Sequence, residues 1–144
     1  MSNQIFIEDV QEGDQLPDLV KNPDTKQLVM YAGASQDFVA IHYDKDVAAE
    51  AGHPSVIVHG ALKSAWLGEL VTSWMGDDGR LLELDVSYRA IDYPGRTATC
   101  KGKIVGVSSD EQTVELEIGL YNDEDQVTTP GRALVSLPSK DSNK

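Results

Sequence analysis

Two side chains in the first third of the chain have the types and the spacing for acid–base chemistry. Asp37 and His42 lie five positions apart in the segment from Tyr31 to Gly60, which also contains the two other histidines, His53 and His59. A carboxylate and an imidazole that meet over one water can take a proton from it as it attacks a carbon and return a proton afterwards. Asp37 and His42 are therefore candidates for a catalytic pair.

The spacing of this pair constrains the backbone between its members. On a continuous α-helix, residues five apart point about 140° away from each other, so they could not hold the same water. The chain must therefore leave helical geometry between Asp37 and His42, and we expect the packing of Phe38 and Ile41 to hold the loop. Taken alone, the two residues also suit structural roles, a cap or turn for Asp37 and a loop position for His42.

A second chemical feature is predicted at Gly60, which follows His59 and begins a strongly apolar run that ends at Met75. The first N–H groups of a helix have no acceptor within it and carry partial positive charge. Because glycine lets a ligand approach the backbone closely, the N–H of Gly60 could bind an oxygen that gains negative charge. The alternative is tight packing at the helix entrance. His59 could contact a ligand or brace the loop.

The elements that must position these residues are a helix and a sheet. Apolar residues cover well over one face of the run from Gly60 to Met75, which is typical of a helix enclosed by other elements. Downstream, apolar and polar residues alternate with the period of two expected for strands, over 82–90, 98–107, 113–120 and 133–137. We predict an α+β fold in which an antiparallel sheet wraps a long central helix. A sheet packed on one face would leave Trp66 or Trp74 poorly covered.

The whole chain, residues 1–144, is predicted to form one domain. Residues 1–24 form an opening segment with turns, and a short helix follows, capped by Asp24 or Thr25 and ended by Gly33. A second short helix is expected from Asp44 to Ala51. Residues 139–144 form a polar, flexible tail.

Composition excludes several classes of function. The net charge is −12 and no basic stripe is visible, so nucleic-acid binding is not expected. Arg89, Arg96, Lys101 and Lys103 could form a local anion-binding patch or simply a solvated strand face. No apolar run reaches the roughly 18 residues of a membrane span, and the N-terminus has no secretion signal.

The single cysteine, Cys100, excludes an internal disulfide and is expected in the core, which favours a reducing, cytoplasmic location. A metal site built from His42, Asp44 and His59 can be considered, but no recognised zinc spacing is present. We predict no metal.

Three segments together resemble the MaoC-type dehydratases, the (R)-specific enoyl-CoA hydratases of the hot-dog fold. These are YAGASQDFVAIHYD from Tyr31, AAEAGHPSVIVHGALKSAWLGELVTSWMG from Ala48, and VSYRAIDYPGRT from Val86. The resemblance runs in order from about Thr25 to Leu137. The family motif D-x-N-P-x-H reads here with Asp37 and His42 in place, but Val39-Ala40 replaces the Asn-Pro pair.

The resemblance implies a function as well as a fold. Family members add water to trans-2-enoyl thioesters, or dehydrate (R)-3-hydroxyacyl thioesters, on CoA or an acyl carrier protein. It assigns catalysis to Asp37 and His42, and oxyanion binding to the N–H of Gly60. The family's helix serine aligns with Ala65, and Ser64 is one residue away. The resemblance also implies a dimer joined through sheet edges, and no cofactor.

Other functions remain open on the sequence. Loss of the Asn-Pro pair suggests that this chain could be one half of a heterodimer whose partner carries part of the site. A non-catalytic acyl-thioester-binding subunit and a thioesterase are further alternatives, since one fold hosts several activities.

Overall fold

The computed structural model describes residues 3–143, with side chains as far as residue 141. The helices are α1 (Thr25–Ser35), α2 (Lys45–Glu50) and α3 (Gly60–Met75), and the strands are β1 (Leu19–Lys21), β2 (Arg80–Val86), β3 (Ala98–Ser108), β4 (Thr113–Tyr121) and β5 (Val127–Ser136). Short 3₁₀ turns occur at Ile7–Asp9, Ala40–His42 and Lys140–Asn143. Within the described range, no helix combines the length and the apolar character needed to cross a bilayer.

The strands form one antiparallel sheet in the order β1-β3-β4-β5-β2, and α3 packs against β2, β3, β4 and β5. Leu67 and Val71 of α3 are fully buried, as are Val114, Leu116 and Leu120 of β4. The helix is therefore enclosed because its apolar residues meet the alternating inward residues of the central strands. This confirms the predicted α+β fold with a sheet wrapped around the long helix.

The two outer strands depart from the sequence prediction. β1 was not predicted, because three residues that pair only with the beginning of β3 carry too little alternation to be recognised. β2 ends at Val86 rather than continuing to residue 90. Its apolar residues Leu82 and Leu84, which belong to the alternating pattern, are exposed because β2 lies at the edge of the sheet.

Local end signals were only partly correct. Asp24 is the cap of α1, since its carboxylate accepts a hydrogen bond from the N–H of Gln27 at 2.8 Å. The predicted stop at Gly33 is wrong, because the helix continues to Ser35. It ends at Gln36, which adopts the left-handed conformation with φ of 60°.

Two of the four basic residues that could have formed an anion site, Arg96 and Lys101, are engaged with acidic neighbours. Arg96 lies 2.9 Å from Asp123 and 3.0 Å from Glu124, and Lys101 lies 2.7 Å from Asp125. These pairs are exposed, so they contribute little stability, but they neutralise the charges of Arg96 and Lys101. The solvated strand face is therefore the better interpretation. Cys100 is buried as predicted, and burial raises the pKa of its thiol to about 12.

Matched substitutions test the enclosure of α3. Val71→Ala removes two buried methyl groups from α3, whereas Val29→Ala removes the same groups from an exposed position of α1. We expect Val71→Ala to lower the free energy of unfolding by about 2 kcal/mol and Val29→Ala to change it little, as measured in urea. Equal effects of the two substitutions would contradict an enclosed helix.

Candidate active site

The segment between Asp37 and His42 leaves helical geometry, as the spacing predicted. The chain turns at Gln36, passes through extended backbone at Val39 (φ −61°, ψ 119°) and forms the 3₁₀ turn Ala40–His42. Both candidate catalytic side chains therefore approach the same place without a proline between them.

Hydrogen bonds hold this loop more than packing does. The Tyr43 hydroxyl donates to the carbonyl of Phe38 at 2.7 Å, and the N–H of Ile57 donates to the carbonyl of Ile41 at 3.2 Å. Ile41 packs against the core as expected. The prediction for Phe38 is wrong, because this residue is 60% exposed.

Asp37 and His42 face each other across a gap suited to one water. The distance between Asp37 Oδ2 and His42 Nε2 is 3.8 Å, which is too long for a direct hydrogen bond. A water about 2.8 Å from both atoms would complete a triangle with nearly a right angle at its oxygen. The Asp37 side chain is 39% exposed and that of His42 only 10%, so water can reach the gap from the Asp37 side.

A hydrogen bond fixes the tautomer of His42. Its Nδ1 lies 2.8 Å from the carbonyl oxygen of Ile57, which can only accept, so Nδ1 carries a proton. In the neutral ring the lone pair is then on Nε2, the atom that faces Asp37. His42 is therefore oriented to take a proton from a water in the gap.

His59 braces His42 from behind. The two imidazole rings are stacked with centroids 3.8 Å apart and planes at 20°, and Tyr31 meets His59 edge-on at 4.8 Å. His59 is fully buried, and neither ring nitrogen has a hydrogen-bond partner among the described residues. Burial lowers the pKa of His59, the neighbouring His42 lowers it further, and Asp37 opposes both effects. His59 is accordingly held as a neutral aromatic surface.

A shared metal ion does not fit these residues. Possible ligand atoms of Asp37, His42 and His59 all lie within 4.8 Å of one another. However, the stacked rings hold their lone pairs in two nearly parallel planes that are separated by the stacking distance, so both rings cannot direct a lone pair at one ion. Asp44, the third residue considered from the sequence, instead caps α2 by accepting from the N–H groups of Asp46 and Val47.

Gly60 begins α3 beside this pair, and no side chain caps the helix. Its first N–H groups are therefore available to an oxygen atom from outside the helix. A β-carbon at Gly60 would lie 3.0 Å from the ring of Tyr88, so the absence of a side chain also permits this contact. The close packing considered from the sequence is therefore present at Gly60, while its role in binding an oxygen stays a prediction.

The two helix residues near the predicted acyl position differ in placement. The hydroxyl of Ser64 lies 2.5 Å from that of Tyr88, over the first turn of α3. Ala65 is exposed. Of the two residues, Ser64 is therefore the one that is hydrogen-bonded to a residue packed against the start of α3. His53 lies apart and contacts the Tyr93 hydroxyl at 3.4 Å.

Sequence reasoning missed Tyr31, Tyr88, Lys63 and Asp92. The aromatic residues gave no signal, because their contacts with His59 and Gly60 depend on tertiary structure. The position of Lys63 did give a signal. It lies three and four positions before the buried Trp66 and Leu67, so it shares their face of the helix. A charged residue on that face requires a buried partner.

Comparison with known proteins identifies the family of this chain. The family model "MaoC like domain" matches residues 10–126. The chain is 28% identical over 130 residues, 90% of this chain and 97% of the relative, to the 3-oxo-4,17-pregnadiene-20-carboxyl-CoA hydratase beta subunit of Mycobacterium tuberculosis. It is 23% identical over 113 residues, 78% of this chain and 84% of the relative, to the (R)-specific enoyl-CoA hydratase of Aeromonas caviae.

A solved structure supports the architecture independently. The (R)-hydratase from A. caviae involved in PHA biosynthesis superposes with a TM-score of 0.83 at 22% identity, covering 90% of this chain and 98% of that chain. The sheet wrapped around α3 is thus a hot-dog fold. The chain belongs to the MaoC-like domain family.

The pH dependence of stability tests the buried state of His59. Because the folded protein disfavours its charged form, the unfolded state binds more protons below pH 6.5, the ordinary pKa of histidine, and stability should fall as the pH decreases from there. We expect His59→Phe to flatten this dependence by up to about 1.4 kcal/mol per pH unit in urea unfolding between pH 6.5 and 5. The carboxylates contribute equally to the pH dependence of the parent and of His59→Phe. Parallel curves of unfolding free energy against pH would therefore contradict a buried, neutral His59.

Proposed function

We propose that this chain adds water to trans-2-enoyl thioesters to give (R)-3-hydroxyacyl thioesters, or catalyses the reverse dehydration. The proposal is supported above all by the 3.8 Å gap between Asp37 Oδ2 and His42 Nε2, next to the uncapped start of α3. Membership of the MaoC-like family and the hydratase relatives agree with it. The acyl group would be carried on CoA or an acyl carrier protein.

The groups that flank the gap define how a water would be used. Both the Asp37 carboxylate and the Nε2 of neutral His42 are acceptors, so a water between them donates both of its hydrogens. Its oxygen lone pairs then face the substrate. One proton leaves to an acceptor as the oxygen bonds to the β-carbon, and a proton returns from the pair to the α-carbon on the same face.

The thioester oxygen gains negative charge during this addition. The N–H of Gly60, at the positive end of α3, would donate to it, because the helix dipole and the unpaired N–H favour an anion there. Adding water is neither an oxidation nor a reduction of the substrate as a whole. The proposed reaction therefore calls for no redox cofactor, and the residues beside the gap suffice to move the protons.

Substitution of the pair tests the assignment. Asp37→Asn keeps the shape of a partly exposed side chain but removes the base, and His42→Ala removes the second acceptor. We expect each to reduce kcat for crotonyl-CoA or longer enoyl-CoA hydration by at least about 100-fold, as followed by loss of enoyl absorbance. Asp46→Asn, the same change on exposed α2, is the control and should retain activity.

The same samples separate hydration from thioester hydrolysis. Hydrolysis releases the free thiol of CoA and hydration does not, so a thiol assay run in parallel distinguishes the two. Thiol release that depends on Asp37 and His42 would replace hydratase by thioesterase. An Asp37→Asn protein with full hydratase activity would remove these residues from the mechanism.

A second candidate is that the chain is one subunit of a heteromeric hydratase. The relative from M. tuberculosis is by name a beta subunit. In this chain the edge strand β2 exposes Leu82 and Leu84, and the catalytic loop exposes Phe38 and Val39. A partner subunit could cover these apolar residues, and pairing along an edge strand would satisfy its open backbone groups.

The two candidates differ in what the chain does when purified alone. A homodimeric enzyme should elute at twice the 15.7 kDa chain mass in size-exclusion chromatography with light scattering and should hydrate enoyl-CoA. A subunit of a heteromer should be inactive alone and gain activity with its partner. An active monomer would contradict both forms of assembly.

A further inference from the structure

One ion pair in the described part of the chain is buried at both ends, and the proposed reaction does not use it. Lys63 and Asp92 are 2% and 5% exposed, and the Lys63 ammonium lies 2.9 Å from Asp92 Oδ2. The other Lys and Arg pairs that the structure shows all have exposed members. Taking two charges out of water is costly, so this pair calls for an explanation.

The pair belongs to a cluster of directional hydrogen bonds. Lys63 also donates to the carbonyl of Ala90 at 2.9 Å, and the Thr128 hydroxyl donates to Asp92 Oδ2 at 2.7 Å. Thr128 is itself buried in β5. We call Lys63, Asp92 and Thr128 the buried cluster. It joins the first turn of α3 to the sheet through the segment that follows β2.

The same cluster lies next to the segments on either side of Gly60, the candidate oxyanion site. The main-chain carbonyl of Asp92 accepts from the N–H of Val58 at 2.9 Å, two residues before Gly60. The Lys63 ammonium lies 5.7 Å from the centroid of the Tyr88 ring, which rests on Gly60. Three contacts therefore fix the position of Gly60. Val58 is bonded to Asp92 before it, Lys63 is bonded to Asp92 after it, and the Tyr88 ring packs against it.

Stability alone does not account for such a cluster. Replacing a buried ion pair by apolar residues of similar volume is often neutral or stabilising, because the desolvation cost disappears. Apolar residues would not reproduce the fixed directions of these hydrogen bonds. A carboxylate and an ammonium with fixed partners hold three segments in one geometry. Direction matters where a helix N–H must meet a particular oxygen.

We infer that the buried cluster of Lys63, Asp92 and Thr128 is a positioning device that sets the start of α3 and the Tyr88 ring for binding the thioester oxygen. This inference rests on the hydration proposed above. The three residues act through Gly60 and Tyr88 and touch no reacting atom. A displacement of about 1 Å at such a site can cost roughly 100-fold in rate, so loosening the cluster should appear in kcat.

The decisive variant replaces both charges at once, Lys63→Met with Asp92→Leu, because a single replacement would leave an unpaired buried charge. We expect this protein to unfold in urea at or above the parental midpoint, yet to show a kcat about 10 to 100-fold lower with a smaller change in KM. Amide hydrogen exchange, read by NMR at Val58, whose N–H donates to the main chain of Asp92, should become faster. A stable double variant with parental kcat and parental exchange would overturn the inference.

The chain offers a matched control on the same helix. Lys21 and Glu69 form an ion pair at 2.6 Å that lies at the surface, more than two helical turns beyond Gly60. Lys21→Met with Glu69→Leu likewise removes one lysine–carboxylate pair, and it should leave kcat and the exchange of Val58 unchanged. An equal loss of kcat in both double variants would show general loosening of α3 and would overturn a specific role.

A further variant and a readout other than activity keep the test decisive. If the buried double variant does not fold, Thr128→Val removes the hydroxyl that donates to Asp92 but no charge, and it should lower kcat several-fold and speed exchange at Val58. A folded Thr128→Val protein with neither change would overturn the inference. If the parent protein has no hydratase activity, the proposed function fails, and the exchange at Val58 still decides whether the cluster holds the chain that leads into α3.

Discussion

The candidate site depends on one hydrogen bond, from His42 Nδ1 to the carbonyl of Ile57. It selects the tautomer whose lone pair faces Asp37, and it ties the short turn that carries His42 to the chain leading into α3. The N–H of Ile57 returns a bond to Ile41, so the two segments are joined on both sides of the imidazole. The acid–base pair and the start of the helix are thereby fixed in one frame.

Two polar side chains near the start of α3 are buried, which is unusual for their residue types. His59 is buried without a hydrogen-bond partner, and Lys63 is buried with its charge paired to Asp92. Such features cost stability and are expected where function requires them. Here one supplies a neutral surface behind His42, and the other anchors the turn that begins at Gly60. Both lie within four residues of the helix start, which is where the proposed chemistry needs rigidity.

Much of this could be predicted from the sequence, and the part that could not has a common cause. The period of two defined β3 and β4, and the apolar run defined α3, because these signals are local and repeated. Contacts such as Lys63 with Asp92, or Tyr88 with Gly60, join residues more than 25 positions apart and leave no periodic trace. The exposure of β2 depends on its place at the sheet edge, which alternation does not encode.

The replacement of Asn-Pro by Val39-Ala40 changes what keeps the catalytic loop in shape. A proline would fix the bend through its own ring. In this chain the bend arises from the left-handed Gln36, the Tyr43 hydroxyl bond and the pairing of Ile41 with Ile57, and the last of these joins residues 16 positions apart. The loop is therefore specified by tertiary contacts rather than by local conformational restriction. Because Ile57 leads directly into the segment held by Asp92, loop geometry and helix position are linked, and a disturbance of one should be transmitted to the other.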